Sequence, residues 1–264
     1  MDFNNKVIWI TGASSGIGKG LAIALSKLNT QLILSSRNEE ALLSVKAVCD
    51  HPENIFILPL DLEVLEGMPL KVLDAIGAFG KVDVLIHNGG LSQRSLVKDT
   101  TIAVDEKLMK VNYLGTVGLT KAILPHFLNN NKGCFIVTTS VVGMVATPLR
   151  SSYAASKHAL HGFFDSLRAE VFLNNIKVTL LCPGFVQTQV SVNALTGDGT
   201  PQNKMDTATA NGLTVAAFVN CFIKKMKTDP EVIVIGGFKE KLAVYTKRFF
   251  PKLLSKMIRK IKVT

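Results

Sequence analysis

Near the start of the chain a short apolar run, Lys6–Thr11, passes directly into Gly12-Ala13-Ser14-Ser15-Gly16-Ile17-Gly18, and residues 19–28 continue with helical periodicity. A strand, a glycine turn and a helix in that order leave few folds open. The Gly-x-x-x-Gly-x-Gly spacing lets the main chain approach a ligand closely. The first turn of the helix offers unpaired N–H groups to an anion such as a pyrophosphate. An ordinary glycine-rich turn is the alternative.

Six more apolar runs read as strands, at 31–36, 54–60, 82–87, 134–139, 176–182 and 231–235. Helical patterns fill 38–49, 62–79, 101–129, 152–174 and 207–227. Regular alternation of strands and helices predicts an α/β fold, a doubly wound seven-stranded parallel sheet with helices on both faces, in one domain over residues 1–264. Gly67, Pro69 and Gly77 interrupt the pattern of 62–79. Asn112 falls inside 101–129, where its side chain competes for backbone bonds, so a local break or a bound water is expected there. Residues 186–206 are polar and irregular, as a substrate-covering lid would be.

Tyr153 and Lys157 are four residues apart in Ser151-Ser152-Tyr153-Ala154-Ala155-Ser156-Lys157, which puts them one turn apart on one helix face. A phenol titrates near about pH 10 in water, and an adjacent ammonium favours its phenolate. Ser140 lies just past the strand at 134–139, at the carboxyl end of the sheet, where ligands bind in open α/β folds. A Ser, a Tyr and a Lys so placed can polarise a carbonyl and hand it a proton. Tyr-x-x-x-Lys also arises by chance on exposed helices.

Ser36 and Arg37 follow the second strand. A fold that prefers NAD places an acid there for the ribose 2′-hydroxyl, whereas Arg37 suits a 2′-phosphate, so NADP(H) is the expected cofactor. Asp61, past the third strand, can accept from an adenine amino group or cap the next helix. Asn88-Gly89-Gly90 turns off the fourth strand and again permits close backbone approach.

The four cysteines, Cys49, Cys134, Cys182 and Cys221, include no C-x-x-C pair, and His51, His87 and His126 share no ligand spacing. That argues against a metal site or a disulfide framework and fits a reducing, cytoplasmic setting. The first strand starts so early that no secretory leader is expected, and no apolar run reaches the ~18 residues of a membrane span.

The net charge of +10 is unevenly placed: residues 212–264 carry 12 basic and 3 acidic groups, the preceding residues 18 and 17. The basic character therefore belongs to the C-terminal segment, about 239–264, and no nucleic-acid motif accompanies it. There Leu253, Leu254, Met257, Ile258 and Ile261 recur at helical spacing beside basic residues. That pattern fits peripheral contact with a membrane surface, or packing on the domain or in a homodimer.

As a set these residues resemble the classical short-chain dehydrogenase/reductase family over roughly residues 6–190, with a Rossmann-type fold. The resemblance implies a cofactor site of Gly12, Ser14, Ser15, Gly16, Ile17, Gly18, Arg37, Asp61, Leu62, Asn88, Gly89, Tyr153, Lys157, Pro183, Gly184, Val186 and Thr188. It implies a catalytic tetrad of Asn112, Ser140, Tyr153 and Lys157, with Asn112 ordering a water that joins Lys157 to solvent. The implied activity is NADP(H)-dependent interconversion of a small-molecule carbonyl and an alcohol, in a homo-oligomer, dimer or tetramer. His87 stands where the family usually has Asn, and Gly89 where it has Ala. His87 is expected to support strand packing, and His158 and His161 to have surface or packing roles. The Asn-Gly-Gly variant and the basic, apolar C-terminus look similar to a membrane-associated branch acting on lipid-like carbonyls. A catalytically silent dinucleotide-binding regulator is the competing reading, and the intact Asn112, Ser140, Tyr153 and Lys157 weigh against it.

Overall fold

The computed structural model describes residues 1–259. Lys6–Thr11 (β1), Thr30–Ser35 (β2), Ile55–Ile57 (β3), Val84–His87 (β4), Gly133–Thr138 (β5), Ile176–Pro183 (β6) and Val232–Ile235 (β7) form one parallel sheet in the order β3-β2-β1-β4-β5-β6-β7. Strand order reverses between β1 and β4. A crevice opens there beyond the carboxyl ends of the strands, which is where such sheets take ligands.

Successive strand residues face opposite layers. Ile8 and Ile10 pack with Leu21 and Leu25 of α1 (Gly16–Ser26), Leu42 of α2 (Glu39–Lys46) and Phe218 and Phe222 further along the chain. Val7 and Trp9 face the other way. They join Val72 of α3 (Met68–Phe79) and residues of the helices that follow β4 and β5. Trp9 is fully buried, and its indole donates to Ser35 Oγ at 2.8 Å.

The region read as one helix over 101–129 is α4 (Ile102–Met109), a π turn over Lys110–Leu114, and α5 (Gly115–Asn129). The break falls at Asn112, as its side-chain chemistry predicted. After β5, α6 (Ser151–Glu170) carries Tyr153 and Lys157. Residues 207–227 split into α7 (Thr207–Ala210) and α8 (Val215–Met226). The break lies at Gly212, where any Cβ would stand 2.5 Å from the Phe185 carbonyl oxygen, and Leu213 N–H donates to that same oxygen. Residues 62–67 are not helical: Gly67 and Pro69 start α3 late, in the first-turn position proline favours. β3 ends at Ile57, ahead of Pro59, although Leu58 and Leu60 still donate to Leu34 and Ser36 carbonyls.

The last described elements are α9 (Phe238–Phe249) and α10 (Pro251–Ile258). Leu254 is buried and Ile258 half-buried, so the apolar face expected on α10 is divided: Leu253 and Met257 stay exposed. Ile261, Lys260 and Lys262 lie outside the described residues. Among the described residues no helix is long and apolar enough to cross a membrane.

Candidate active site

The glycine turn is built by contact between the ends of β1 and β4. Gly12 has φ 63°, and a Cβ there would lie 2.7 Å from Gly89 Cα. Thr11 Oγ1 accepts from the N–H groups of Asn88 and Gly89, and Asn88 Nδ2 donates to Gly12 O at 3.2 Å. Lys19 is the first residue of α1 whose N–H finds an intrahelical acceptor, Ser15 O. The opening N–H groups therefore have no backbone partner among the described residues, at a turn that borders the crevice. The Ser15 side chain makes no capping bond.

This turn forms one wall of a cleft of about 960 Å³. Ser14, Ser15, Gly16, Ile17, Arg37, Asp61, Leu62, Asn88, Gly89, Pro183, Gly184, Val186 and Thr188 line it together with Ser140, Tyr153 and Lys157. Two expected residues stand behind that wall. Gly18 packs beneath the turn, where a Cβ would meet Gly12 O at 2.1 Å. Asn112 is fully buried one layer back. Arg37 is exposed and makes no ion pair among the described residues. Asp61 uses one oxygen, Oδ1, to cap Glu63 N–H at 2.9 Å.

Ser140 caps a short 3-10 turn, its Oγ accepting from Val142 N–H at 3.1 Å. Lys157 is buried and donates from Nζ to Thr138 O at 2.9 Å, at the end of β5. Burial lowers its pKa to about 8. Its Nζ lies 5.9 Å from the centre of the Tyr153 ring. The Tyr153 hydroxyl has no hydrogen-bond partner among the described residues. A Cβ at Gly90 would stand 3.0 Å from Asn112 Oδ1 and 3.5 Å from Lys157 Nζ, so glycine keeps open the space those two groups share.

The site thus sets a phenol, a hydroxyl and a buried ammonium against a glycine turn. Residues 6–198 match the family model described as short chain dehydrogenase. The chain belongs to the short-chain dehydrogenase/reductase family. The family is one of oxidoreductases. The chain is 40% identical over 258 residues to a dehydrogenase/reductase SDR family protein 7-like of Anopheles gambiae, covering 95% of this chain and 81% of that one. It is 38% identical to the human dehydrogenase/reductase SDR family member 7, covering 95% and 76%. A short-chain dehydrogenase from Streptomyces avermitilis shares the fold with a TM-score of 0.82 at 24% identity, over 97% of both chains. A Burkholderia phymatum member solved with NAD gives 0.81 at 22%, over 100% and 98%. One from Burkholderia cenocepacia solved with NADP gives 0.80 at 22%, over 98% and 99%.

Where this dehydrogenase/reductase departs from its family's usual residues, the structure gives the reason. His87 is buried between Phe135 and Phe164, and burial lowers its pKa to about 3. Thr120 Oγ1 gives its hydrogen to Thr116 O, so the 2.9 Å contact with His87 Nε2 has the imidazole donating. His87 is a neutral packing group. His158 is exposed and bonds Ala154 O of its own helix. His161 is half-buried, its Nε2 at 3.1 Å from Thr139 Oγ1.

Reading the sequence missed the loop 92–95 and its partners. Arg94 and Asp206 form a buried ion pair at 2.5 Å, with Arg150 at 3.6 Å from the same carboxylate oxygen. Lys107 of α4 and Gln189 also line the cleft. Arg150 alone stands out in a segment otherwise apolar or neutral, whereas Arg94 has Lys98 and Asp99 nearby and Asp206 has Lys204, and nothing in one dimension brings the three together.

Proposed function

We propose that this chain is an NADP(H)-dependent oxidoreductase that interconverts a carbonyl and a secondary alcohol on an apolar small molecule. The observation that carries it is the single cleft with the glycine turn on one wall and Ser140, Tyr153 and Lys157 on the other. The fit to a dinucleotide rests on Gly12, whose missing side chain lets the turn after β1 close on Gly89 after β4, and on the N–H groups of α1 that have no backbone partner among the described residues. Gly12, Ser14, Ser15, Gly16, Ile17 and Gly18 would hold the pyrophosphate, with Thr188 beside Gly16. Asp61 and Leu62 would take the adenine, and Asn88, Gly89, Pro183, Gly184 and Val186 the nicotinamide half. Exposed Arg37, which forms no ion pair among the described residues, would pair with a 2′-phosphate.

When bound, the nicotinamide supplies or accepts the hydride. The rest is done by this chain. Ser140 and Tyr153 donate to the substrate oxygen, and Tyr153 hands over the proton in reduction or takes it in oxidation. Lys157, held by Thr138 O, keeps its remaining hydrogens for the cofactor ribose and for the phenol's surroundings. Asn112 holds Leu91 with its amide, and its oxygen faces the space above Gly90 through which a water would join Lys157 to solvent. Leu91, Val190, Leu195 and Pro201 give the substrate side an apolar lining.

Two further parts belong to the same reading. Ile102 and Leu114, exposed on α4 and the π turn, support self-association as a dimer or tetramer, testable by light scattering. Phe238, Leu242, Tyr245 and Phe249 form an exposed stripe along α9 beside Lys241, Lys247 and Arg248, which supports contact with an anionic membrane surface. The four free cysteines fit a cytoplasmic location.

The test is a panel of apolar ketones and aldehydes with NADPH oxidation followed at each. Turnover of at least one is expected. Tyr153→Phe should lose about 10²–10⁴-fold in kcat with NADPH affinity kept. Retained activity in that variant overturns the assignment.

A further inference from the structure

α6 begins without a cap of its own. Its N-cap residue Arg150 makes no side-chain capping bond, and Ala154 is the first residue whose N–H reaches an intrahelical acceptor. The preceding N–H groups need partners elsewhere. Gln93 supplies a partner for two of them from another segment: its Oε1 accepts from Ser152 N–H at 2.9 Å and Tyr153 N–H at 3.2 Å. The amide cannot turn over, because its NH2 would then point at those two N–H donors. Its Nε2 faces three hydroxyl oxygens, Ser95 Oγ at 3.1 Å, Thr100 Oγ1 at 3.2 Å and Ser151 Oγ at 3.3 Å. Gln93 itself is fully buried. An amide, with its acceptor and donor at opposite sides, meets both demands.

The main chain at Gln93 is equally fixed. Leu195 of the lid segment donates to Ser92 O at 2.9 Å, and Arg94 N–H donates to Leu195 O at 2.8 Å. Arg94 then holds Asp206 at the far end of the same segment. One short loop therefore grips both the residue that bears the phenol and the cover of the cleft.

We propose that Gln93 is a positioning residue for Tyr153: it caps the first turn of α6 in trans and fixes the phenol against the lid. The proposal rests on the functional reading above, in which Tyr153 transfers the proton. A positional error near 1 Å is enough to cost on the order of 10²-fold in rate. A loss of the cap should therefore be read in kcat rather than in cofactor binding.

The experiment uses the full chain with Gln93→Leu and Gln93→Glu. Leucine removes acceptor and donor together. Glutamate keeps an acceptor for both N–H groups, and the Ser95 and Ser151 hydroxyls can rotate to donate to it. Amide hydrogen exchange across 151–154 is measured without cofactor, beside NADPH affinity, kcat and KM. Gln93→Leu should exchange at Ser152 and Tyr153 at least tenfold faster and lose about 10–100-fold in kcat, with NADPH affinity within about twofold. Gln93→Glu should restore slow exchange and most of kcat. Unchanged exchange in Gln93→Leu overturns the proposal. So does Gln93→Glu that loses kcat as far as Gln93→Leu. If Gln93→Leu does not fold, Gln93→Glu alone decides, by the same two readouts. Should the unmutated protein turn over no carbonyl, the functional reading fails, while exchange still tests the cap.

Discussion

Asn112 and Leu91 are joined by two hydrogen bonds, Leu91 N–H to Oδ1 at 2.7 Å and Nδ2 to Leu91 O at 2.9 Å. The second amide hydrogen goes to Ser156 Oγ, on the helix that carries Tyr153. One buried side chain thus replaces a stretch of backbone ladder and ties the loop after β4 to α6. The π turn sets Asn112 in that position.

Asn112→Ala would leave the N–H and C=O of Leu91 without partners, at about 1–3 kcal/mol for each group left unsatisfied. Thermal unfolding should show a clear fall in Tm. Turnover should fall further than cofactor affinity, because the released loop also carries Gln93. A variant with normal Tm would contradict this account of the pair.

Lys157 has a pKa lowered by burial from 10.5 to about 8. Between those two pH values the unfolded chain binds the extra proton and the folded chain does not. Stability from this group therefore rises with pH across that window, and below pH 8 the full burial penalty applies. Lys157→Met removes the penalty and should be inactive but more stable at neutral pH, by on the order of 3 kcal/mol before the lost Thr138 bond is counted. Denaturant unfolding of both proteins should show the gap narrowing as pH rises from 8 to 10.5. A gap independent of pH would show that Lys157 is not the penalised group.

Arg37→Ala should weaken NADPH binding and leave NADH binding almost unchanged. Loss of charge-assisted bonds worth about 1.5–3 kcal/mol corresponds to roughly 10–150-fold. Fluorescence titration with both cofactors reads the difference. Equal affinities in the unmutated protein would remove the NADP(H) preference.

Gly18→Ala places a Cβ 2.1 Å from Gly12 O and 2.6 Å from Asn88 Nδ2. Neither neighbour can withdraw, because they are hydrogen-bonded to each other. The turn must shift, so cofactor affinity should fall at least about tenfold, consistent with a displaced helix terminus. Wild-type affinity in this variant would mean that the turn is softer than its contacts imply.

The proposed membrane contact would use the exposed stripe Phe238, Leu242, Tyr245 and Phe249 of α9, together with exposed Leu253 and Met257 of α10. Each nearby cation adds about 1 kcal/mol at an anionic surface. The protein should sediment with anionic vesicles at low salt and be released at high salt. Phe238→Ser with Phe249→Ser should reduce that binding while NADPH oxidation persists. Unchanged vesicle binding would assign the stripe to another role.

The strand-glycine turn-helix unit, the alternation of elements and the Tyr153-Lys157 spacing were all legible in the chain, because each depends on neighbours in sequence. The break at Asn112 was legible for the same reason: a side chain that competes for its own helix's bonds announces itself locally. Three-dimensional packing decided the rest. It turned Leu254 inward and left Leu253 outward on α10, a choice that helical period alone does not make. It split residues 207–227 at Gly212, since the chain must pass the Phe185 carbonyl. It brought Gln93 to the amino end of α6 and Arg94 to Asp206, across separations of 60 and 112 residues. A glutamine in a loop carries no signal of what it will cap, because its partners are backbone groups and hydroxyls that every sequence contains, and only the fold selects which of them meet.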